Sequence, residues 1–308
     1  MPGKLLYNCF KAVAGRNYRL ARILYDREMT RAQQKHREPP ILLHQMGKVG
    51  SKSIRATLRE LDLDRSIYHT HHLAWHHIAE IEAKRREFFR TERYTYLQRS
   101  WLSRFLRKQL ADPNDPTRWK VITLTRDPIA RNLSGFFQNV KFKVLEPGER
   151  YEIESHYYNI APQVITLADL SPLFDLYWNS YRHDTPLSYF DEEIDEVFGS
   201  DIFGTEFPKE KGYHIYPASK GEILVIRLEN LNTCAEQAIL DFLGIENFQL
   251  TNINLGDEKN YAPVYKKFKS TIQPPAEYLD RFYDSKYVRH FYTDEEIAAF
   301  RGKWTRSE

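Results

Sequence analysis

Four short runs of apolar residues divide the chain, and longer stretches with helical spacing lie between them. The runs cover residues 41–46, 67–73, 121–125 and 223–228. Short runs of this kind, rich in β-branched residues and bounded by turn residues, are typical of buried strands. Because buried strands that alternate with helices form parallel sheets, the pattern predicts an α/β fold with helices on both faces of a central parallel sheet.

The predicted helices carry recognisable start and stop signals. Ile54 and Leu58 follow the first apolar run at helical spacing. The dipeptide Asp127-Pro128 follows the third run, and it favours a helix start because aspartate caps the first amides and proline fits the first helical position. A further helix follows the fourth run and closes at Gly244, a favoured residue for a helix end. Strand, loop and helix therefore alternate at three junctions.

The remaining segments are less regular. Residues 76–110 alternate charged and apolar positions and predict one or two helices, whereas residues 141–220 mix aromatic helical patches with loops. Residues 1–38 are rich in Lys and Arg, and their spaced apolar residues predict an amphipathic helix. That helix either packs on the rest of the protein or contacts a membrane surface. Pro39 ends it, so we expect a basic extension over 1–38 and a single domain over 39–308.

The composition is that of a globular protein, with 42% hydrophobic and 28% charged residues among 308. The formal net charge of +3 is too small to indicate nucleic acid as a partner,. Cys9 and Cys234 are the two cysteines, which favours a reducing compartment over a disulfide framework,. Without a long apolar run or a signal peptide, the expected location is the cytoplasm, with membrane association through the extension left open.

The loop after the first apolar run has the chemistry of an anion site. Its glycines allow the backbone to approach a phosphate, and the amides at the start of the next helix point towards the anion. A lysine adds positive charge and two serines add hydroxyl donors. The order of residues differs from the Walker A loop, G-x-x-x-x-G-K-[ST], because Lys48 lies two residues before Gly50 and Gly50 is followed by Ser51,. The loop reads Gly47, Lys48, Val49, Gly50, Ser51, Lys52 and Ser53.

A second junction follows the third apolar run. Arg126 ends that run, and Ser134 lies almost two turns into the following helix. Ligands of open parallel sheets bind beyond the carboxyl ends of the strands. We therefore expect Arg126 and Ser134 to reach one phosphate group beside the first loop.

Together the two junctions resemble those of sulfotransferases that use 3′-phosphoadenosine 5′-phosphosulfate (PAPS). The resemblance implies a P-loop-like three-layer sandwich and transfer of a sulfuryl group to a hydroxyl, with PAP as the product. It also implies that Arg126 and Ser134 bind the 3′-phosphate. The implied ligands of the 5′-phosphosulfate are Lys48, Val49, Gly50, Ser51, Lys52 and Ser53.

The chain also resembles a bacterial group of capsular polysaccharide synthesis proteins. Residues 68–73, 186–216 and 254–265 carry this resemblance, which implies a carbohydrate or glycolipid acceptor. Met46 departs from the proline of cytosolic sulfotransferases. Their glycine-rich third cofactor segment is not recognisable, and residues 254–259 are the candidate substitute for it.

Sulfuryl transfer requires a cation at the leaving phosphate and a base at the acceptor hydroxyl. Lys48 is the candidate cation. His71 is the first candidate base and His69 the second, and Glu82 is an alternative. A zinc site that includes His76 and His77 is a further interpretation, although no Cys or well-spaced carboxylate completes a tetrahedral ligand set in the sequence. A purely structural histidine cluster is another. No metal is required by this mechanism.

Two other functions compete with sulfuryl transfer. One is a nucleotide-dependent kinase in which Asp127 holds magnesium. The other is a non-catalytic module that binds anionic glycans or lipids. Candidates for the rim of the site are Arg227, Lys259 and Tyr261, although salt bridges at strand ends and packing are the favoured explanations of these residues. Sugar stacking and core packing both remain open for Tyr157, Tyr158, Tyr177, Trp178 and Tyr181. The sequence does not predict the oligomeric state.

Overall fold

The computed structural model describes residues 18–89, 95–155, 157–251 and 259–305. The predictions for residues 1–17, and those for Asn254 to Glu258, lie outside these ranges.

A central five-stranded sheet has the order β2-β1-β3-β8-β7. Its first four strands run parallel, and β7 forms an antiparallel edge with β8. The prediction of a central, mostly parallel sheet is thereby confirmed. The strands are β1 (Ile41–His44), β2 (Ile67–Thr70), β3 (Trp119–Thr125), β7 (Tyr213–Ala218) and β8 (Gly221–Arg227).

Three of the four predicted strands, β1, β3 and β8, are among the best buried segments of the described chain, whereas half of β2 is partly exposed. All four residues of β1 are buried, and β3 and β8 each have a single residue that is partly exposed. Strands covered on both faces need apolar residues at nearly every position, so their sequence reads as continuous apolar runs. That is why the pattern located them.

Helices flank the sheet and form the carboxyl-terminal part of the chain. The predicted helices after the first, third and fourth runs are confirmed, and residues 76–89 and 95–110 fall within two helices. The helices are α1 (Tyr18–Gln33), α2 (Ser51–Glu60), α3 (Trp75–Phe89), α4 (Thr95–Ala111), α5 (Pro128–Asn139), α6 (Ser171–Ser180), α7 (Thr185–Tyr189), α8 (Leu231–Leu243), α9 (Ala262–Thr271), α10 (Ala276–Tyr283), α11 (Lys286–Phe291) and α12 (Asp294–Gly302). A π-helical segment, Phe190–Asp195, directly follows α7.

A second sheet occupies part of residues 141–220, where the sequence predicted no strand. It is antiparallel and consists of β4 (Lys141–Glu146), β5 (Arg150–Ser155) and β6 (Ile160–Thr166). Its outer strands are largely exposed, with one buried residue in each. A strand that buries so few side chains has no continuous apolar run, and this sheet was therefore missed.

The described part of the basic extension packs on the domain. Tyr25 of α1 lies against Trp101 of α4, with 5.6 Å between ring centroids. Lys108 Nζ donates to Asp26 Oδ2 at 3.1 Å across the same contact. Leu20 and Ile23 on α1 remain 45% and 47% exposed. Within the described ranges, no helix has both the length and the apolar character needed to cross a membrane.

Candidate functional site

The strand order places two loops beside each other. After β1 the chain moves outward to β2, and it then returns to the opposite side of β1 to form β3. This reversal opens a crevice at the carboxyl ends of β1 and β3, the usual ligand position in open α/β sheets. The loop after β1 and the junction after β3 border this crevice.

The loop after β1 has an unusual backbone. Lys48 adopts φ 75° and Gly50 adopts φ 88°, both in the left-handed region. A Cβ on Gly50 would lie 2.4 Å from Leu228 Cδ1, so both the dihedral and the packing require glycine there,. Gly50 precedes α2 and provides no side-chain cap. The first amides of α2 therefore face the loop without a side-chain acceptor from the capping position.

Two arginines from the β3–α5 junction fix the loop. Arg126 Nη1 donates to Lys48 O at 3.0 Å, and Arg131 Nε donates to Gly47 O at 3.0 Å. Arg131 is buried and also donates to Tyr181 Oη at 3.0 Å. The loop carbonyls thus point towards the arginines.

The loop lies within a group of cations, which we call the cationic cluster. Burial, together with the positive charges of four neighbours, lowers the pKa of Lys48 to about 8. Like charges repel in a partly dehydrated site, so the cluster favours an anionic ligand. Its members are Lys48, Lys52, Arg126, Arg131 and Lys259.

The carboxyl-terminal helices hold the start of α5 in place. Tyr287 Oη donates to Arg126 O at 2.8 Å and accepts from Arg126 N at 3.0 Å. Asp127 is the predicted helix cap, with Oδ1 accepting from Ile129 N at 3.0 Å. The same oxygen accepts from Tyr283 Oη at 3.1 Å. Burial raises the pKa of Asp127, so this carboxyl group is poorly suited to holding magnesium.

A cavity of about 290 Å³ lies beside Arg126. Ala130 is one of its lining residues, and Ser134 lies one turn further along α5 on the same face,. Ser134 is partly exposed, whereas Lys269 and Lys303 add positive charge to the wall. Arg126 lines this cavity, whereas Ser134 is not among its lining residues. The other lining residues are Asp127, Leu228, Glu229, Phe300 and Trp304.

The remaining predicted ligands of the 5′-phosphosulfate differ in exposure. Val49, Ser51 and Ser53 are buried, and Lys52 is exposed. Ser51 Oγ accepts a hydrogen bond from the side-chain amide of Gln45. The amide of Ser53 donates to Gly50 O at 3.3 Å, so the backbone amide of Val49 is the group that this position of the loop offers to an anion.

The two candidate bases differ in how their rings are held. Nδ1 of His71 donates to Gln45 O at 2.9 Å, because a carbonyl oxygen can only accept. Nε2 is consequently the basic nitrogen of neutral His71. Both ring nitrogens of His69 face donors, since Nδ1 lies 3.2 Å from Arg55 Nη1 and Nε2 lies 3.0 Å from Gln45 Nε2. His71 is therefore better arranged to accept a proton.

A second group of side chains surrounds Glu193, in the π-helical segment. Its Oε2 accepts from the backbone amides of Leu73 and Ala74 at 2.6 and 3.0 Å. His77 Nδ1 lies 2.5 Å from Oε1, and His44 Nε2 lies 3.2 Å from Oε2. Burial alone would raise the pKa of Glu193, but the imidazoles of His44, His72 and His77 reverse this effect and hold it well below its usual range. We call Glu193 and these three histidines the histidine–glutamate cluster.

Several other candidates have structural partners. Glu82 forms a bidentate pair with Arg104, at 2.8 and 2.5 Å, so it is held away from the role of base. Arg227 is buried in an ion pair with Glu296 and is therefore not part of a rim.

Lys259 Nζ donates to Tyr261 Oη at 2.9 Å and belongs to the cationic cluster. Among the aromatic candidates, Tyr177 is fully buried in the core, whereas Tyr157 is 64% exposed. Of the tyrosine positions considered for sugar stacking, Tyr157 therefore offers the more accessible ring.

Sequence reasoning missed four residues that organise these sites: Gln45, Arg131, Glu193 and Tyr287. Arg131 had no signal, because at helical spacing it lies opposite the apolar side that Ile129 and Leu133 form on the predicted helix α5,. Glu193 and Tyr287 had none, since their partners are 120 and 161 positions away in the chain.

One family profile matches the chain, over residues 173–293: NKWYS, described as "Putative capsular polysaccharide synthesis protein". No curated protein and no solved structure matches significantly. The match contains residues 186–216, on which the resemblance to this group rested, and it does not reach the loops after β1 and β3. It indicates a glycan-related role, while the sulfotransferase-like architecture stays a prediction.

Proposed function

We propose that this protein is a PAPS-dependent sulfotransferase that acts on a hydroxyl group of a carbohydrate-type acceptor. The observation that carries the proposal is the cationic cluster at the reversal point of the sheet, directly before an uncapped helix start. This arrangement suits a ligand with several negative charges that lies across both strand ends. PAPS has such charges and supplies the sulfuryl group.

The residues of the crevice divide into two groups for binding. The amides after Gly50 and the Lys48 ammonium would hold the 5′-phosphosulfate. Arg126 and Ser134 would hold the 3′-phosphate along the side of α5. Lys52 and Lys259 are less enclosed and would contribute by their charge.

The chemical step needs little beyond charge stabilisation and a proton acceptor. The acceptor oxygen forms a bond to sulfur while the bond from sulfur to the bridging phosphate oxygen breaks. Lys48 neutralises the negative charge that develops on that oxygen. The hydroxyl proton passes to Nε2 of His71, whose Nδ1–H is held by Gln45 O,.

The acceptor class rests on the family similarity over residues 173–293. Tyr157, which is exposed beside Tyr158 at 4.9 Å between ring centroids, offers a surface for stacking on a sugar,. A glycan hydroxyl is a weak nucleophile near neutral pH, which agrees with the need for a base such as His71.

Calorimetric binding of PAP to the full chain tests the cofactor directly. We expect micromolar affinity for wild type and a loss of about tenfold to a hundredfold for Arg126→Ala, which removes a charge-assisted hydrogen bond. Arg118→Ala is the matched control, because Arg118 is exposed immediately before the opposite end of β3. That variant should bind PAP as wild type does.

Three outcomes would count against the proposal. Folded wild type that does not bind PAP would contradict it. Stronger binding of ATP with magnesium than of PAP would favour a kinase. Glycan or vesicle binding that persists unchanged in both Lys48→Ala and His71→Ala, without sulfuryl transfer from PAPS, would favour a binding module.

A further inference from the structure

We propose that the histidine–glutamate cluster binds a divalent transition metal, of the zinc class, through His72 Nδ1, His77 Nδ1 and Glu193 Oε1. These three ligand atoms all lie within 4.8 Å of one another. The proposal is independent of sulfuryl transfer, because it concerns different side chains and is tested by metal binding.

The carboxylate of Glu193 is already oriented for this role. Its Oε2 is held by the amides of Leu73 and Ala74 at 2.6 and 3.0 Å. The other oxygen, Oε1, then points towards His77 Nδ1 at 2.5 Å and His72 Nδ1 at 3.7 Å. Tetrahedral zinc with imidazole and carboxylate ligands separates its ligand atoms by about 3.3 Å. Both distances therefore differ from the zinc geometry by less than about 1 Å.

Two ring atoms point into the cluster without a hydrogen bond. His72 Nδ1 is buried and makes none with any described residue. His44 is completely buried, and its Nε2 lies 3.2 Å from Glu193 Oε2 without meeting the geometry of a hydrogen bond. Buried polar atoms in this state are uncommon, and a bound cation would satisfy His72.

The position of His77 Nε2 favours the set of His72, His77 and Glu193 over a competing set of ligands. Nε2 lies 3.5 Å from Glu192 Oε2. In metal sites a ligating histidine commonly donates its other N–H to a carboxylate, which fixes the ring. His77 can therefore bind the metal with Nδ1 while Glu192 orients it. A competing set of His76, His77 Nε2 and Glu192 is also close enough to bind a metal, but Glu192 would then no longer orient His77.

The types of ligand indicate which class of ion binds, and the exposure of the His72 side chain indicates how the ion reaches the site. Two imidazoles and one carboxylate suit zinc and its neighbours, whereas calcium and magnesium prefer oxygen ligands alone. Glu193 is almost fully buried, but the side chain of His72 is 43% exposed. The metal can enter on the His72 side, and its fourth position would face solvent next to His71, whose ring centroid is 6.5 Å from that of His72.

The test uses the full chain, stripped with a chelator and titrated with zinc chloride in a calorimeter. Metal content after gel filtration gives the stoichiometry. We expect one zinc per chain and a loss of at least about tenfold to a hundredfold in affinity for His72→Ala, as seen even for outer ligands of metal sites. His72 makes no hydrogen bond through Nδ1, so this variant should fold. His76→Ala is the matched control and should bind zinc as wild type does.

The opposite pattern, with zinc lost in His76→Ala and kept in His72→Ala, would overturn the proposal in favour of the competing set. Equal affinity for wild type, His72→Ala and His76→Ala would show non-specific binding and would also overturn it. Absence of stoichiometric zinc from folded wild type at micromolar concentrations would do the same. Cobalt provides a second readout, because its visible absorption reports a tetrahedral site that His72→Ala should abolish.

Discussion

Two groups of charged side chains lie at the same edge of the central sheet. One group contains only positive charges, whereas the other places a carboxylate among histidines. The cationic cluster brings together like charges, and the pKa of Lys48 is lowered to about 8 as a result of burial and of those charges. In the histidine–glutamate cluster a buried carboxylate is surrounded by donors, and its pKa is held low. Repulsion among the cations of the first group favours an anionic ligand, whereas attraction in the second group holds the Glu193 carboxylate in place, both for the fold and for the proposed metal.

The two clusters also differ in how far apart their central residues lie along the chain. The loop of the cationic cluster is continuous in sequence, from Gly47 to Ser53. The histidine–glutamate cluster joins the end of β1, the segment after β2 and the π-helical segment. π-Helical turns cost regular hydrogen bonding and are frequent at functional sites. Opposite charges thus connect distant segments, whereas like charges are held in place by a local loop and its arginines.

Removing Glu193 should have the largest effect on stability. In Glu193→Ala, the amides of Leu73 and Ala74 and His77 Nδ1 lose their acceptor, so we expect the free energy of unfolding to fall by about 3–5 kcal/mol. Urea denaturation with chelator present measures this without any contribution from metal binding. Glu152→Ala, which removes a surface partner of Lys143, should cost at most about 1 kcal/mol. Equal effects of the two substitutions would mean that the cluster does not stabilise the fold.

Replacing Lys48 should lower the rate of sulfuryl transfer without lowering the stability of the fold. Lys48→Met removes one of several like charges, so we expect the free energy of unfolding to stay constant or to rise by about 1 kcal/mol, after allowance for solvent screening. Sulfuryl transfer from PAPS should fall by about a hundredfold to a thousandfold, as for the loss of one charge-stabilising group. Denaturation and turnover are measured on the same preparation. A marked loss of stability would show that the cationic cluster is structural.

The backbone of the loop can be tested at its two glycines. Gly50→Ala forces a side chain into φ 88° and against Leu228, so we expect a loss of about 1–3 kcal/mol in stability and weaker PAP binding. Nothing lies within 4 Å of a Cβ added at Gly47. Gly47→Ala should therefore change stability by less than about 0.5 kcal/mol. The loop geometry would be in doubt if both substitutions had the same effect.

The lowered pKa of Lys48 predicts a pH dependence of ligand binding. Above its pKa of about 8, free Lys48 is largely neutral, and an anion must restore the proton in order to gain the charge interaction. We expect PAP affinity to fall by at most about tenfold per pH unit above pH 8, with proton uptake. Calorimetry in two buffers of different ionisation enthalpy measures that uptake. Lys48→Arg should bind PAP without it, and proton uptake unchanged in this variant would assign the effect to another group.

The local parts of the fold and of the candidate site were predictable from the sequence. Parallel strands that are covered on both faces need apolar residues at nearly every position, so β1, β3 and β8 appear as nearly continuous apolar runs. β2 was also predicted, although it is an edge strand in which buried and partly exposed residues alternate. The anion loop and the helix cap Asp127 were also visible, because glycine, lysine and capping residues act over a few positions of backbone. The edge strand β7 and the exposed sheet of β4, β5 and β6 were not predicted, since strands that bury few residues lack a distinctive pattern of apolar positions.

Only the tertiary structure decided which side chains meet. His71 and His69 are two positions apart, yet one ring is held by a backbone carbonyl and the other lies between two donors. Glu193 acquires its partners from segments more than a hundred positions away. Sequence patterns record burial and local backbone geometry, whereas the pairing of distant polar groups depends on how the chain crosses the sheet. For this protein the crossing between β2 and β3 creates the crevice, and the π-helical segment carries a carboxylate to the histidines beside it.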